Sequence, residues 1–258
     1  MNQRYLLCGP ISLVLLAACD AAAPSAEPAA PPSAAAVAVS AVKPDPSKCP
    51  KPEQPYDEQE FGAREHDLLV PNEFAAIAAT DGDNLAVTTL DGTQICEEVS
   101  WMMTLGARAR ADQGSRFLVL DYEGYESFGT LVFDRSTGSE AVETGDLPHF
   151  SPSGRLMAAL QQDEAAFGGL QGFAIWKVED KGLKQLHFDD GDVGETAAFT
   201  EFADMRIERW RGEDCLDIEG WTENDLTASN GDRDTAKRTP LYAAEDNKWS
   251  IQRGRCPQ

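Results

Sequence analysis

Basic charge is what this 258-residue chain most lacks. It has 22 Lys and Arg against 44 Asp and Glu, a formal net charge of −22. A field of that sign repels phosphate backbones and anionic lipid surfaces, which argues against nucleic-acid binding and leaves a well-hydrated acidic surface as the ordinary reading. Histidine is nearly as scarce. His66, His149 and His187 are the whole supply for general-base or triad chemistry, and none sits in a recognised motif. Residues 124–129 come nearest to a Gly-x-Ser-x-Gly elbow but have the wrong spacing, and His-Glu-x-x-His, Walker and Cys-x-x-Cys patterns are missing. With 44 acidic residues, paired carboxylates arise by chance and identify nothing. Helix signals are also sparse, the run 163–167 being too short to matter. No catalytic residue, cofactor or metal ligand follows from these patterns.

What is present begins with an address. Arg4 supplies a positive end, residues 6–16 a short apolar stretch, and Ala17-Ala18 small residues, the layout of an export signal too short to span a bilayer comfortably. Leu16-Ala17-Ala18-Cys19 resembles the lipobox of bacterial lipoproteins. The resemblance implies removal of residues 1–18, Cys8 with them, and acylation of Cys19. The protein is then held to a membrane of the cell envelope, facing the periplasm, by lipid worth about 0.8 kcal/mol per buried methylene. Asp20 resembles the inner-membrane retention signal of enteric bacteria, a rule that varies, so inner and outer membranes both stay open. Residues 19–48 form an Ala/Pro-rich tether. Its prolines at 24, 28, 31, 32, 44 and 46 exclude a continuous helix, and in polyproline geometry residues 20–47 would reach on the order of 85 Å. Ser40-Ala41-Val42-Lys43 matches the Ser-x-x-Lys pattern of penicillin-recognising enzymes, but in a tether without companion motifs the match is accidental.

Residues 49–258 make one domain of roughly 200 residues. It contains four cysteines, Cys49, Cys96, Cys215 and Cys256, an even number that suggests two disulfides in an oxidising compartment. Three pairings are possible. Cys49 with Cys96 and Cys215 with Cys256 are favoured because each ties a chain end to its nearest expected strand, closing loops worth up to about 4 kcal/mol apiece. Zinc is the rival and lacks the spacing for it.

Short β runs separated by turn residues are expected at 74–79, 84–90, 116–121, 130–134, 155–161, 173–178, 183–188, 205–210, 215–218, 241–244 and 248–252. Residues 117–120, 131–133 and 174–176 are apolar on both faces, which a strand needs only where its sheet is covered on both sides. Between 114 and 182 the order of turn, apolar run, loop and apolar run occurs twice. Turns at 111–114, 151–154 and 200–203 recur at intervals of 40 and 49 residues, near the unit of a propeller blade. His149-Phe150-Ser151-Pro152-Ser153-Gly154-Arg155-Leu156 resembles the Phe-Ser-Pro-Asp-Gly-x-x-Leu segment of WD40-like repeats in TolB-type β-propellers, and residues 133–138 resemble the strand and turn that precede it. The resemblance covers about 75 residues and implies an all-β fold, a small or incomplete β-propeller-like array of antiparallel sheets of about four units. A β-sandwich is the alternative.

The remaining candidates have bland explanations. Asn230-Gly231-Asp232-Arg233-Asp234 begins like a calcium loop but has Thr235 and Leu241 where Gly and Glu are needed. Asp81-Gly82-Asp83-Asn84 and Asp189-Asp190-Gly191-Asp192 read as turns. Arg108, Arg110 and Arg116 form the main basic cluster, expected to make local ion pairs, while Trp101, Tyr122, Tyr125 and Trp221 either pack inside or line a binding surface. The expected function is a membrane-anchored periplasmic binding or scaffold lipoprotein acting through contacts with a protein partner. Its narrowest form is an inhibitor or immunity protein facing a basic cell-wall hydrolase. The alternative is a cell-envelope hydrolase with His149 or His187 meeting carboxylates at the propeller channel.

Overall fold

The structure, a computed structural model, describes residues 42–52, 68–124, 127–162, 169–191 and 197–257, all within the unit Val39–Gln258. Cys19 and its lipobox, the tether up to 41, His66, Tyr125, the run 163–167 and Asp192 lie outside them.

The strands form four antiparallel sheets in chain order, none closed on itself. The first contains β1 (Ala78–Thr80), β2 (Asn84–Thr88) and β3 (Gln94–Glu98). The second contains β4 (Met102–Leu105), β5 (Arg110–Asp112), β6 (Phe117–Gly124), β7 (Ser127–Asp134) and β8 (Val142–Thr144). In the third are β9 (His149–Phe150), β10 (Leu156–Gln161), β11 (Gly172–Glu179) and β12 (Gly182–Asp190). In the fourth are β13 (Asp204–Arg211), β14 (Cys215–Trp221), β15 (Thr239–Ala244) and β16 (Gln252–Arg253). The first, third and fourth are meanders in which neighbours in sequence pair, whereas in the second β4 and β5 both pair with β6. Two short helices interrupt them, α1 (Ala197–Glu201) and α2 (Glu223–Ala228). The second starts at a capping box in which Thr222 and Asp225 satisfy each other's backbone amides.

The two-faced apolar runs explain the stacking. Phe117, Leu118, Val119 and Leu120 on β6 are all 0 % exposed. Leu118, Leu120, Leu131 and Phe133 pack with Leu85, Val87 and Ile95 of the first sheet. Their alternates Phe117, Val119 and Val132 pack with Met157, Ala159, Ala174 and Trp176 of the third. The third sheet repeats the device, turning Ala158, Leu160, Phe173 and Ile175 toward Met205, Ile207, Leu216, Ile218 and Leu241 of the fourth. Strand period 2 thus sends successive residues into two different cores.

The end sheets are finished differently. Thr88, Ala86, Gln94 and Cys96 face away from the second sheet and are covered by residues 42–49. The Thr88 hydroxyl donates to the Val42 carbonyl at 3.1 Å, and Gln94 exchanges hydrogen bonds with the Asp45 backbone at 2.8 and 3.0 Å. A disulfide joins Cys49 to Cys96. The folded body therefore begins before Cys49, inside the stretch that composition assigns to the tether, because hydrogen bonding to a sheet outweighs the extended preference of its prolines. At the other end the Cys215–Cys256 disulfide ties the C-terminus to β14.

Two strand expectations shift. Residues 72–74 form a 3₁₀ turn, so β1 starts only at Ala78, and Lys248 and Trp249 take positive φ, leaving Gln252–Arg253 as the last strand. The repeat register also changes in the fourth sheet. The corresponding turns are 113–116 between β5 and β6, 151–155 between β9 and β10 and 212–214 between β13 and β14, whereas residues 200–203 end α1 and lead into β13. These three turns touch in succession. The Gln113 side chain sits against Gly154, and Glu213 accepts from the Ser151 hydroxyl at 3.0 Å and the Ser153 amide at 2.8 Å.

Candidate functional site: a cleft where three first strands meet

The edge strands β5, β9 and β13 of the second, third and fourth sheets come together. Arg110 on β5 donates to the Pro148 carbonyl just before β9, and the Trp210 indole on β13 donates to the His149 carbonyl at 3.1 Å. Between them lies a cleft of about 190 Å³. Arg108, Asp146, His149 and Arg206 give it polar walls, and Leu147, Leu160 and Ile207 its apolar surface. Asp204 and Arg233 form an ion pair beside it.

The charges in the cleft are unequally compensated. Arg108 uses its backbone amide and Nε on Asp121, at 2.6 and 3.0 Å, and its terminal nitrogens have no partner among the described residues. Arg206 is committed to Glu219 at 2.8 and 3.1 Å and lies 5.1 Å from the Trp221 ring centre. Asp146 accepts at its backbone carbonyl from the Thr144 hydroxyl at 3.2 Å, but its carboxylate makes neither a hydrogen bond nor an ion pair among the described residues. It opens to the cleft yet is hemmed in by protein, and this burial raises its carboxyl above the usual range against the pull of Arg108 and Arg233. Burial likewise raises Asp204, opposed by Arg233 and reinforced by Asp146. Burial, then the Arg110 charge, hold His149 below its ordinary value, so the imidazole is neutral at pH 7.

His149 thus shares a concave site with a carboxylate, as a channel-mouth enzyme would require. Among the described lining residues, however, there is no hydroxyl, thiol or amine that His149 could activate. The groups present can hold opposite charges in place; they do not form a nucleophile–base pair.

The other sequence candidates lie elsewhere. His187 is on β12, its Nε2 3.1 Å from Asp189. Arg108, Arg110 and Arg116 each pair locally, with Asp121, Asp112 and Asp134 at 3.0, 2.8 and 2.6 Å. Arg116 also reaches the Glu179 carbonyl of the third sheet, and buried Arg135 reaches the Thr88 carbonyl of the first at 2.7 Å, so these arginines fasten sheet to sheet. Tyr122 and Trp221 are buried, whereas Trp101, edge-on to Tyr122 at 5.0 Å, keeps 43 % of its surface exposed. Asp232 caps its own loop through the Asp234 amide at 2.9 Å, and Arg233 of the same loop turns to Asp204. Among the described residues no cluster of three or more His, Cys, Asp or Glu is arranged to hold a metal.

Asp146, Asp204, Arg206 and Arg233 carry no motif and were not legible as site residues. One faint signal exists: Arg108, Asp146 and Asp204 each stand at or just before an edge strand that borders the cleft, β5, β9 and β13. No family model, curated protein or solved structure matches this chain.

Proposed function

We propose that this chain is a lipid-anchored, periplasm-facing binding or scaffold protein that acts through contact with a basic protein partner. The observation that carries the reading is where its scarce cations go. Arg108, Arg110, Arg116, Arg206, Arg209, Arg211, Arg233, Arg238 and Arg253 each form an ion pair with a carboxylate of the same chain. With 44 acidic and 22 basic residues, such pairing leaves the acidic surplus to dominate the field that a partner meets. That field steers a cationic protein and is weakened by salt. The lipobox-like segment ending at Cys19 supports the anchor, and two disulfides accord with an oxidising compartment.

The test is recovery of the acylated full chain from detergent-solubilised membranes. A basic protein in fixed ratio, released as salt rises, is the expected result; a chain recovered alone refutes the reading. Cys19→Ser should move the protein from membrane to soluble fractions, and unchanged partitioning would refute the anchor. The narrower form, an inhibitor of a basic cell-wall hydrolase, predicts protection in a cell-wall lysis assay and is removed if lysis is unaffected.

A further inference from the structure

We propose that the cleft between β5, β9 and β13 binds a small zwitterion, a free α-amino acid, with its ammonium on Asp146, its carboxylate on Arg108 and its side chain against Leu147, Leu160 and Ile207. The proposal does not depend on the protein contact proposed above.

The charge arrangement selects the ligand class. Asp146 and Arg108 both line the cleft and make no ion pair with each other, although the Arg108 charge acts on Asp146. Each therefore has capacity left for a bound group: the whole carboxylate on one side, two terminal guanidinium nitrogens on the other. A simple anion would meet Arg108 and Arg206 but also the uncompensated Asp146, with Asp204 close behind it. A simple cation would meet Asp146 but also Arg108, Arg206 and Arg233. A ligand bearing both charges meets an opposite charge on each wall, whereas a singly charged one meets an unopposed like charge; Asp146 and Arg108 are both exposed at the open side of the cleft, Arg108 to 58 %, so water weakens this preference without reversing it.

Size and polarity narrow it further. A cavity of 150 Å³ accommodates a six-carbon ring, so a cleft of about 190 Å³ admits about seven or eight non-hydrogen atoms. Alanine, serine and valine lie at that limit, and a dipeptide exceeds it. The three aliphatic side chains favour a small apolar substituent over a charged one. Ile207 of β13 and Leu160 of β10 come from packed sheets, and Arg108, in the loop before β5, is oriented by its two hydrogen bonds to Asp121, which preorganises the apolar floor and the cationic wall.

Isothermal titration of the full chain with L- and D-alanine, serine and valine tests the proposal, with propionate, ethylamine, alanine amide and N-acetylalanine as controls that each lack one charge. We expect saturable binding by at least one amino acid below about 1 mM, and controls at least about tenfold weaker. Asp146→Asn, isosteric and at a side chain without a partner to lose, and Arg108→Gln should each weaken binding about tenfold or more while near-ultraviolet dichroism stays unchanged. The proposal is overturned by absence of saturable heat throughout the panel at 10 mM, by a singly charged control binding as well as the amino acids, or by full affinity in Asp146→Asn. Recovery of a protein partner from membranes would stand or fall independently of these results.

Discussion

Phe117 and Leu118 are adjacent on β6 and wholly buried, but in different cores. Phe117 lies against the third sheet, its ring 4.9 Å from Phe150 and under the Arg116 guanidinium at 5.0 Å. Leu118 packs against the first sheet with Leu85 and Val87. In a sheet with one wet face, one of two neighbouring strand residues is cheap to truncate. Here Phe117→Ala should cost about 3–5 kcal/mol and Leu118→Ala about 2–5 kcal/mol, from lost transfer energy and the cavities left behind. For a domain of this size that is roughly 4–20 °C in Tm, at about 2–4 °C per kcal/mol. Urea unfolding followed by tryptophan fluorescence and far-ultraviolet dichroism measures both. Because the two side chains share no partners, their milder versions, Phe117→Leu and Leu118→Val, should add within about 0.5 kcal/mol when combined. A loss below about 1 kcal/mol for either alanine variant would refute burial of the second sheet on both faces.

Three further outcomes follow from single positions. Replacing Cys215 and Cys256 by Ser opens a loop whose ends are 41 residues apart, and Cys49 with Cys96 one of 47; each double variant should lose up to about 4 kcal/mol of unfolding free energy in urea titrations compared with the oxidised parent, and equal free energies would show that the bridges do not constrain the unfolded chain. Gly172 has φ +133° and a Cβ there would strike the Asp189 carbonyl, whereas Gly114 at φ +64° has open space around it. Gly172→Ala should therefore cost about 2–6 kcal/mol or abolish folding, against about 1–2 kcal/mol for Gly114→Ala, and similar melts for both would count against the β11–β12 register. His149, facing Arg110 and sharing its cleft with Arg108, Asp146 and Arg206, is favoured neutral in the fold. Its contribution is complete above the ordinary value of 6.5 and is lost as pH falls below it. Asp146 and Asp204, raised by burial, oppose this by favouring the fold as they take up protons. His149→Gln should consequently retain more stability than the parent between pH 7.5 and 5.5, and parallel profiles would refute the assignment.

Much of the fold is legible because its rules are local. Turn chemistry at Ser151–Gly154 and the unbroken apolar run 117–120 announce a covered β sheet from a handful of neighbouring residues. The calcium-like loop shows the opposite case. Its spacing suggests ligands, but Asp232 is used by its own turn and Arg233 by Asp204 on another strand. Likewise the unit boundary at Thr200–Ala203 looked equivalent to the other turns by interval alone, until α1 displaced it.

The sequence by itself determined an all-β chain of antiparallel meanders with two-faced strands, an acidic balance and cysteines near both ends of the domain. Periodicity, turn residues and charge are properties of short segments or of composition, and need no partner to be expressed. Only the tertiary structure decided that Arg108, Asp146, His149 and Arg206 share one cleft and that Arg135 and Arg116 clasp neighbouring sheets. Apart from the neighbours Asp146 and His149, those groups stand far apart in the chain and meet because three separate cores fix how the sheets lie against one another.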